Sequence, residues 1–411
     1  MIDLETARQQ ILARIEPLGT ETVELSDATG RTLARSVPTR DPIPPFDNTA
    51  MDGFVLQAKD TVTATDLSPV TLPVVATIEA GMPGDTPLKS GQAMRIYTGA
   101  VIPPGGDAII PFENCLRYDT ASIEIEQPII DGAHIRRKGE DVEEGESILE
   151  PGFRLTPAAI GLLASVGATE VPVYRKPRVA VHSSGNELVE IAADLAPGQI
   201  RNSNRYSLSS RLQKWGAEVL PRPVLRDDIG AIRNGLEETL ALKPDAIVTT
   251  GGISAGDLDH IREVARQMGD DIQIRKVAMK PGKPLVDGLI AGVPFFGLPG
   301  NPAACLVSFE IFVRPALAKM EQRSDGLLPM RIGVLRLEKS LPPSKRLRLL
   351  RGRVSADPLG GPDQVEIPSG QGSHLLGGFA RSNCLVKIPA CDDTLCPGDL
   401  VEVWSLADDE G

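Results

Sequence analysis

Hydrophobic and polar positions change their spacing along the chain, and each change indicates a different kind of element. Residues 3–15 carry apolar side chains at helical spacing, and residues 156–168 carry a second helical pattern rich in alanine and leucine. Asp3 precedes the first pattern and suits an N-cap, because a short acidic side chain accepts a hydrogen bond from the first helical turn. The two patterns therefore predict a helix near each end of the first 170 residues.

Residues 40–140 have the spacing of strands. Asp41-Pro42-Ile43-Pro44-Pro45 cannot be helical, because each proline lacks a backbone N–H and fixes its own φ. Short β-type runs separated by glycine- and proline-rich turns follow over residues 70–78, 93–97, 108–112 and 123–125. These runs predict an all-β insertion.

From about residue 177 short apolar strands alternate with helical patterns. Predicted strands cover 178–181, 217–220, 246–249, 272–277 and 294–297, and predicted helices cover 202–215, 228–242, 257–268 and 302–320. Such alternation is typical of a parallel sheet that is covered by helices on both faces. After Ser324 the pattern returns to strands and turns, which predicts a β domain up to residue 411.

Composition narrows the class of protein. A chain of 411 residues favours two to four domains, and its net charge of −12 argues against general nucleic-acid binding. The five cysteines are odd in number and form no Cys-x-x-Cys pair, which disfavours a disulfide framework or a zinc ribbon. The acidic N-terminus lacks the features of a signal peptide, and no apolar run approaches the ~18 residues of a membrane helix. We therefore expect a cytoplasmic protein that does not bind membranes.

Three loops of the predicted α/β segment suit an anion. Met279-Lys280-Pro281-Gly282-Lys283-Pro284 presents two lysines on a backbone fixed by proline, whereas solvated surface lysines are the simpler alternative. Gly251-Gly252-Ile253-Ser254-Ala255-Gly256 and Leu298-Pro299-Gly300-Asn301-Pro302 each follow a strand and precede a helix, where ligands of open α/β sheets bind. Each of these two loops is, alone, equally explained as a rigid turn.

Carboxylates near predicted loops could hold a hard cation, which prefers oxygen ligands. Glu187 follows Ser184-Gly185-Asn186, whose hydroxyl and amide have a capping role as the simpler alternative. Asp52, Asp141 and the Asp257/Asp259 pair are further candidates, although a turn or cap role is the more common one for each. The four histidines are scattered, which disfavours a zinc site. Eight Lys/Arg within residues 330–355 could guide an anion, although most such runs form a solvated face.

Taken together and in order, these motifs resemble those of the molybdopterin molybdenumtransferases, the bacterial counterparts of the gephyrin E domain. The resemblance spans nearly the whole chain. It rests on Asp47-Asn48-Thr49-Ala50-Met51-Asp52-Gly53, Tyr97-Thr98-Gly99-Ala100, Gly139-Glu140-Asp141, Ser184-Gly185-Asn186-Glu187-Leu188, the three loops above and Gln371-Gly372-Ser373-His374. Each motif is weak alone, but the ordered set is specific.

The resemblance implies a multidomain α/β plus β fold. It implies an elongated domain formed by residues 1–41 and 139–176, and a β insertion domain over residues 42–138. It also implies a molybdopterin-binding three-layer α/β/α domain over residues 177–323 and a C-terminal β-barrel domain over residues 324–411. An elongated homodimer is expected, with each active site shared between the α/β domain of one subunit and the β insertion of the other.

The reaction implied by the resemblance is the Mg²⁺-dependent insertion of molybdate into adenylylated molybdopterin, which releases AMP and molybdenum cofactor. The residues that match the family's catalytic positions are Asp52, Thr98, Asp141, Glu187, Asp259, Lys280 and Lys283. Substrate-binding positions are Ser184, Gly185, Gly251, Gly252, Ser254, Pro299, Gly300, Asn301, Pro302 and Ser373, and metal positions are Glu187, Asp227 and Asp259. Expected partners are the molybdopterin adenylyltransferase and apo-molybdoenzymes.

The chain also departs from the family pattern. Asn186 stands where the family usually has an aspartate, so Glu187 is the acidic group expected in that loop. His182 occupies a strand position that is commonly aliphatic, and the spacing does not distinguish Asp227 from Asp228. Two other functions fit part of the sequence: a molybdopterin adenylyltransferase, which shares the α/β domain type, and a non-catalytic scaffold of the gephyrin type. The added β domains argue against the first, and the lack of a long linker argues against the second.

Overall fold

The structure is a computed structural model that describes residues 1–253, 260–337 and 340–406. Within these residues no helix has both the length and the apolar character needed to cross a membrane. The helices are α1 (Leu4–Leu12), α2 (Pro157–Ser165), α3 (Ser203–Lys214), α4 (Ile229–Ala241), α5 (His260–Met268), α6 (Pro302–Ser308), α7 (Arg314–Met320) and α8 (Leu376–Ala380). A π-helical turn, Phe309–Val313, joins α6 to α7 in one continuous segment.

The helices predicted from spacing are confirmed where the structure describes them. Asp3 caps α1 by accepting a 2.9 Å hydrogen bond from the Thr6 backbone N–H, and Thr156 caps α2 in the same way. The predicted start of α5 at residue 257 lies outside the described residues. Short acceptors therefore fix these two helix starts, and Asp3 is the one that the sequence indicated.

The first 176 residues form three small sheets. Their strands are β1 (Thr20–Glu24), β2 (Asn48–Thr49), β3 (Gly53–Leu56), β4 (Val70–Ile78), β5 (Ala93–Ile96), β6 (Ala108–Pro111), β7 (Arg117–Tyr118), β8 (Ser122–Ile125), β9 (Ile135–Arg136) and β10 (Glu170–Tyr174). β1 pairs with β10 and β2 with β9, while the others form a six-stranded sheet in the order β6-β3-β5-β4-β8-β7. The all-β insertion is thus confirmed, and β3 is a strand that the spacing did not predict.

The central sheet belongs to the segment with alternating strands and helices. This segment contains the strands β11 (Arg178–Ser183), β12 (Leu188–Val189), β13 (Ile200–Arg201), β14 (Glu218–Pro221), β15 (Ala246–Thr250), β16 (Gly269–Lys276), β17 (Met279–Lys280), β18 (Pro284–Ile290) and β19 (Val293–Leu298), and six of them form the central sheet. The order is β14-β11-β15-β19-β18-β16, whereas β12 pairs only with β13. Alternate residues of β11 enter two separate apolar clusters, so helices cover both faces as predicted.

The prediction of an all-parallel sheet was wrong at one edge. β14, β11, β15 and β19 are parallel, but β18 runs antiparallel to both β19 and β16. A two-residue turn, Ala291-Gly292, joins β18 to β19, and both residues have positive φ (50° and 79°). Such a turn closes a hairpin, and a hairpin can only place its strands antiparallel.

The C-terminal strands close into a five-stranded barrel. They are β20 (Met330–Arg336), β21 (Leu347–Ser355), β22 (Asp363–Glu366), β23 (Cys384–Ile388) and β24 (Leu400–Ser405), and β21 pairs with both β22 and β23 to complete the ring. β17 adds to β21 in parallel and sets Lys280 opposite Arg348. This pairing ties a loop of the central sheet to the barrel.

The apolar face of α1 packs into the main core of the central segment. Leu4, Ala7 and Ile11 are buried in the same cluster as Val277 and Phe309. The division of the chain into domains at the residues given above stays a prediction.

His182 makes the stability of the fold depend on pH. It lies fully buried in β11 with its Nε2 2.8 Å from Thr239 Oγ1, and burial, with Arg222 nearby, lowers its pKa to about 4. In the unfolded chain the histidine pKa is near 6.5. Between pH 4 and pH 6.5 the unfolded chain therefore binds a proton at this residue that the folded protein does not bind. We therefore expect the free energy of unfolding to fall by about 3 kcal/mol as the pH drops from 6.5 to 4.

Denaturant unfolding across this pH range tests the expectation. A His182→Val variant should lose this part of the pH dependence, since it removes the titrating ring from the strand. His260→Ala, which changes a partly exposed histidine, is the matched control and should keep it. Parallel pH profiles for the wild type and His182→Val would show that the buried ring is not responsible.

Candidate functional site

A cavity of about 1150 Å³ lies between the carboxyl ends of the central strands and the C-terminal barrel. The residues that line it come from the loops after β11, β14, β15, β17 and β19, from the start of α3 and from the barrel. The lining residues include Ser184, Gly185, Glu187, Asn204, Asp227, Gly251, Gly252, Lys280, Gly282, Lys283, Pro299, Gly300, Asn301, Pro302, Arg346, Arg348, Gln371, Gly372 and Ser373. The sheet topology brings these separate loops to one edge, as expected for an open α/β sheet.

Lys280 and Lys283 stand on one wall of the cavity. Both residues are exposed, and neither ammonium group has a hydrogen bond or ion pair to another described residue. Between them Gly282 has φ +94°, and a Cβ there would lie 2.4 Å from Met279 Cε. Only glycine therefore fits this turn, which holds two unpaired cations toward the same space.

The glycine loop after β15 approaches the Ser184 loop closely. Gly251 and Gly252 have φ of +91° and +63°, and a Cβ on Gly251 would lie 2.4 Å from the Ser184 carbonyl oxygen. The Ser184 N–H donates to the Thr250 carbonyl at 2.9 Å. The bare backbone thus forms one floor of the cavity. Ser254 and Asp259, which the sequence placed in this loop, lie outside the described residues.

Asn204 joins the loops of this floor, and the sequence reasoning missed it. Its Nδ2 donates to Thr250 Oγ1 at 2.8 Å and to the Gly300 carbonyl at 2.7 Å. Thr250 Oγ1 in turn donates to the Pro299 carbonyl at 3.0 Å. The signal in the sequence was the position of Asn204 in the first turn of α3. This helix is the first one after β11, so its N-terminal turn is expected at the same edge of the sheet as the loops that follow the strands.

The proline loop connects the cavity to the barrel. Asn301 precedes α6 and donates from Nδ2 to Ser373 Oγ at 3.2 Å instead of capping the helix. The Ala303 N–H donates to the Ser373 carbonyl at 3.0 Å. Pro299, Gly300 and Pro302 line the same wall. The structure thus brings together Ser373 and the 299–302 loop, which are about 70 residues apart in the chain.

The acidic candidates Glu187 and Asp227 also line the cavity. Ser184 Oγ donates to Asp227 Oδ1, and the Asn186 N–H donates to Asp227 Oδ2 at 3.2 Å. Asp228 instead caps α4 by accepting a 2.8 Å hydrogen bond from the Ala231 N–H. Geometry therefore favours Asp227 over Asp228 at the cavity.

The cavity supplies only some of the oxygen ligands that a hard cation needs. Among the described residues no group of three or more His, Cys, Asp and Glu side chains is arranged to hold a metal ion. Glu187 and Asp227 supply two carboxylates, and Mg²⁺ is usually bound by one or two carboxylates together with substrate phosphates. The residues present thus suit Mg²⁺ that arrives with a phosphorylated ligand.

The barrel contributes cations that the sequence reasoning treated mainly as a solvated face. Arg346 and Arg348 line the cavity, and Arg348 is only 9% exposed, with Nε and Nη2 buried and without a hydrogen-bond partner. Buried donors without a partner are costly, and here they add an unbalanced positive charge to this wall of the cavity. The alternation Arg346-Leu347-Arg348-Leu349 was the signal, because in a strand it sets both arginines on one face.

Arg351 holds the loop that carries Ser373. Its guanidinium is buried and donates to the carbonyls of Gly370, Gly372 and Leu375 at 2.6–3.1 Å. Gln371 completes the arrangement, since its Oε1 accepts from the Arg351 N–H at 2.9 Å. Desolvation lowers the pKa of this arginine. The Arg351 guanidinium is therefore a buried positive charge behind the cavity wall, and carbonyl groups, not a carboxylate, accept its hydrogen bonds.

Asp52, Thr98 and Asp141 lie elsewhere in the chain. Asp52 accepts from the Thr98 N–H at 2.7 Å and from Thr98 Oγ1 at 2.8 Å, and these bonds lower the pKa of its carboxyl group. Asp141 is exposed, and its N–H donates to the Ile43 carbonyl at 3.0 Å. None of the described residues that line the cavity comes from 42–138, and Asp141 is not among them.

Comparison with known proteins agrees with this arrangement. Three family models match in order: the MoeA N-terminal region (domain I and II) over residues 2–167, a probable molybdopterin binding domain over 180–319, and the MoeA C-terminal region (domain IV) over 334–406. The molybdopterin molybdenumtransferase 2 of Mycobacterium tuberculosis is 37% identical over 390 residues, covering 94% of this chain and 95% of the relative. The chain belongs to the molybdopterin molybdenumtransferase family.

Other members show the same extent of similarity. The molybdopterin molybdenumtransferase of Haemophilus influenzae is 34% identical over 409 residues and 98% of each chain. Two crystal structures of a molybdopterin biosynthesis MoeA protein from Pyrococcus horikoshii have TM-scores of 0.85 and 0.79, with 27% and 31% identity. They cover 98% and 99% of this chain and all of theirs. The resemblance drawn from the motifs is confirmed, and so are the fold class and the assignment to a family of enzymes.

Proposed function

We propose that this protein acts in molybdenum cofactor biosynthesis by inserting molybdate into adenylylated molybdopterin, with release of AMP and molybdenum cofactor. The observation that carries the proposal is the set of cations around one cavity. Lys280 and Lys283 from the central segment and Arg346 and Arg348 from the barrel converge on it. Arg348 has buried N–H groups without a protein partner. A dianionic oxyanion and a phosphorylated pterin are both ligands of the charge that this set supplies.

Each wall of the cavity has a task in this reaction. The lysines and Arg348 hold molybdate and the substrate phosphates, while the bare backbone at Gly251 and Gly252 lets the pterin approach the sheet edge. As both dithiolene sulfurs bind molybdenum, one molybdate oxygen leaves as water and takes the two thiol protons. One water is consumed when the phosphoanhydride bond is hydrolysed, which leaves the phosphate on the pterin and releases AMP. Positioning and charge stabilisation therefore supply most of the rate enhancement.

Glu187 and Asp227 are the carboxylates that would hold Mg²⁺, together with Asp259 as the family position implies. When bound, Mg²⁺ neutralises negative charge on substrate phosphates. Asp227 is itself held by Ser184 and Asn186, which fixes the direction of its carboxylate. These contacts hold the Asp227 carboxylate at the edge of a cavity that Lys280, Lys283, Arg346 and Arg348 also line.

We also propose that the active site is completed by a second copy of the chain. Asp52, Thr98 and Asp141 match family positions but do not line the cavity of their own chain, which supports a homodimer with shared sites. The proposal includes a cytoplasmic location, transfer of substrate from a molybdopterin adenylyltransferase, and delivery of product to apo-molybdoenzymes.

An AMP-release assay tests the proposed function. Purified protein with adenylylated molybdopterin, molybdate and Mg²⁺ should release AMP in step with formation of molybdenum cofactor. Omission of molybdate should stop cofactor formation. AMP loading from ATP onto free molybdopterin, without AMP release, would instead identify an adenylyltransferase. No reaction in either direction would favour a scaffold.

Arg348 should contribute strongly to anion binding. Replacing it with methionine removes the charge but keeps most of the side-chain volume, so the barrel should remain folded. We expect molybdate affinity to fall roughly 10- to 100-fold, the effect of losing a hydrogen bond to a charged group. Isothermal titration with molybdate measures this, and Arg353→Met on the same strand is the control. Unchanged affinity in Arg348→Met would contradict the assignment.

A further inference from the structure

His374 is the one histidine among the described residues that line the cavity. It follows Ser373 in the loop between β22 and α8, and its side chain is exposed. Within the part of the chain that the structure describes, its ring makes no hydrogen bond or ion pair. The ring nitrogens therefore face the cavity without a protein partner from these residues.

The backbone on both sides of His374 is fixed. The Arg351 guanidinium donates to the Gly372 carbonyl at 3.1 Å and to the Leu375 carbonyl at 2.6 Å. The Leu375 N–H closes a turn by donating to the Gly372 carbonyl at 3.0 Å. A Cβ on Gly372 would lie 2.9 Å from Cε1 of the His374 ring, so the bare backbone leaves room for this ring. The loop thus holds the imidazole in a defined place at the cavity wall.

The same loop lies beside the cations that were assigned to the oxyanion. Gln371 accepts from the Arg351 N–H and donates to the Arg351 carbonyl, each at 2.9 Å. These contacts join the loop to β21 three residues after Arg348, which lies opposite Lys280 of β17. An oxyanion that is held by Arg348 and Lys280 therefore lies in the part of the cavity that His374 also lines.

The proposed reaction needs a group that both accepts and donates protons. Two thiol protons must leave the sulfurs and reach one molybdate oxygen before it departs as water. Lysine and arginine are normally charged at neutral pH and only donate, whereas ionised carboxylates only accept. Histidine populates both protonation states near neutral pH. The other ionisable groups among the described lining residues are Glu187, Arg201, Asp227, Lys280, Lys283, Arg346 and Arg348.

We propose that His374 is a catalytic residue that carries protons from the thiols of the substrate to the leaving oxygen of molybdate. The neutral ring takes the proton of one thiol as that sulfur binds molybdenum, and the imidazolium gives the proton to a molybdate oxygen. The second thiol proton follows the same route to the same oxygen, which leaves as water.

The bonds and charges of this step balance. Two S–H bonds and one molybdenum–oxygen bond break, while two S–Mo bonds and two O–H bonds form. The ring returns to its neutral state, and molybdenum is neither oxidised nor reduced. The inference rests on the proposed function, because it concerns the insertion of molybdate into the dithiolene.

Single-turnover formation of molybdenum cofactor by the full-length protein tests the proposal. His374→Gln keeps much of the size and polarity of the side chain but does not exchange a proton at neutral pH. We expect the single-turnover rate to fall roughly 100- to 1000-fold, a usual contribution of general acid–base catalysis. Molybdate affinity, measured by isothermal titration, should stay within about twofold of the wild type, because the charged groups bind the anion.

Leu375→Ala is the matched control. Leu375 is the next residue of the same turn, and its exposed side chain does not line the cavity. This variant should form cofactor at the wild-type rate. Thermal unfolding of both variants shows that the barrel and its loop remain folded.

Added imidazole separates proton transfer from a structural role. In His374→Ala the ring is replaced by open space, so free imidazole should raise the rate about tenfold or more by transferring protons in its place. N,N′-dimethylimidazolium has a similar shape and the positive charge of imidazolium but no N–H to exchange, so it should not raise the rate. Equal recovery with both compounds, or no recovery with either, would overturn the assignment.

The outcomes also separate this inference from the proposed function. If the wild type forms cofactor and releases AMP while His374→Gln reacts within twofold of its rate, the function stands and the assignment of His374 is wrong. A loss in His374→Gln that disappears at saturating molybdate would show a binding role and would also overturn it. A wild type that forms no cofactor would reject the proposed function together with the proton transfer that depends on it.

Discussion

Replacing Lys280 with alanine should lower kcat/KM for AMP release at least 100-fold without unfolding the protein. Lys280 is exposed to the cavity and has no partner among the described residues, so its loss leaves no buried group unsatisfied. The missing ammonium instead weakens the charge that holds the oxyanion as the reaction proceeds. Removing one such stabilising donor typically costs 100- to 1000-fold in rate.

Steady-state AMP release and thermal unfolding should be measured together. Lys176→Ala is the matched control, because Lys176 is an exposed lysine between β10 and β11 that does not line the cavity. Its activity should equal that of the wild type. A Lys280→Ala protein with more than half of the wild-type rate would remove Lys280 from the site.

Two inactive variants should restore activity when they are combined in one dimer. Asp52→Asn and Lys280→Ala alter the two proposed halves of the site, which come from different subunits. In a mixed dimer one site carries both changes and the other carries neither. Unfolding and refolding the two proteins together should therefore recover about one working site per mixed dimer, because intact halves meet in only one of the two sites.

The control for this experiment uses a double variant. A mixture of the Asp52→Asn/Lys280→Ala protein with Lys280→Ala contains no site with both intact halves, so it should stay inactive. Recovery in the first mixture but not in the second supports cross-subunit construction. Equal rates in both mixtures would show that each site is built within a single chain.

Local signals in the sequence were sufficient for much of the fold. Asp3 was readable as a helix start because a capping side chain acts within four residues. The strands 178–183 and 246–250 were readable because both faces of the central sheet are buried, which requires continuous apolar runs. The loops after these strands followed from topology, since parallel strands bring their carboxyl ends to one edge.

Other features depended on contacts between distant residues. The hairpin of β18 and β19 was missed because Ala291-Gly292 is not one of the strong turn signals, although both residues adopt positive φ. Arg348 looked like one member of a solvated basic run. It is buried in the structure, where β17 of the central segment pairs with its strand and sets Lys280 opposite Arg348, a contact between residues that are distant in the chain. Asp52 and the cavity belong to one site only through the proposed dimer, which a single chain does not contain.

A crystal of the protein soaked with molybdate and measured at the molybdenum absorption edge gives the most direct test of the central claim. We expect an anomalous peak in the cavity, placed so that the molybdate oxygens lie within hydrogen-bond distance of the Lys280 or Lys283 ammonium group or of the Arg348 guanidinium. A molybdenum peak only at another surface, with this cavity empty at saturating molybdate, would contradict it.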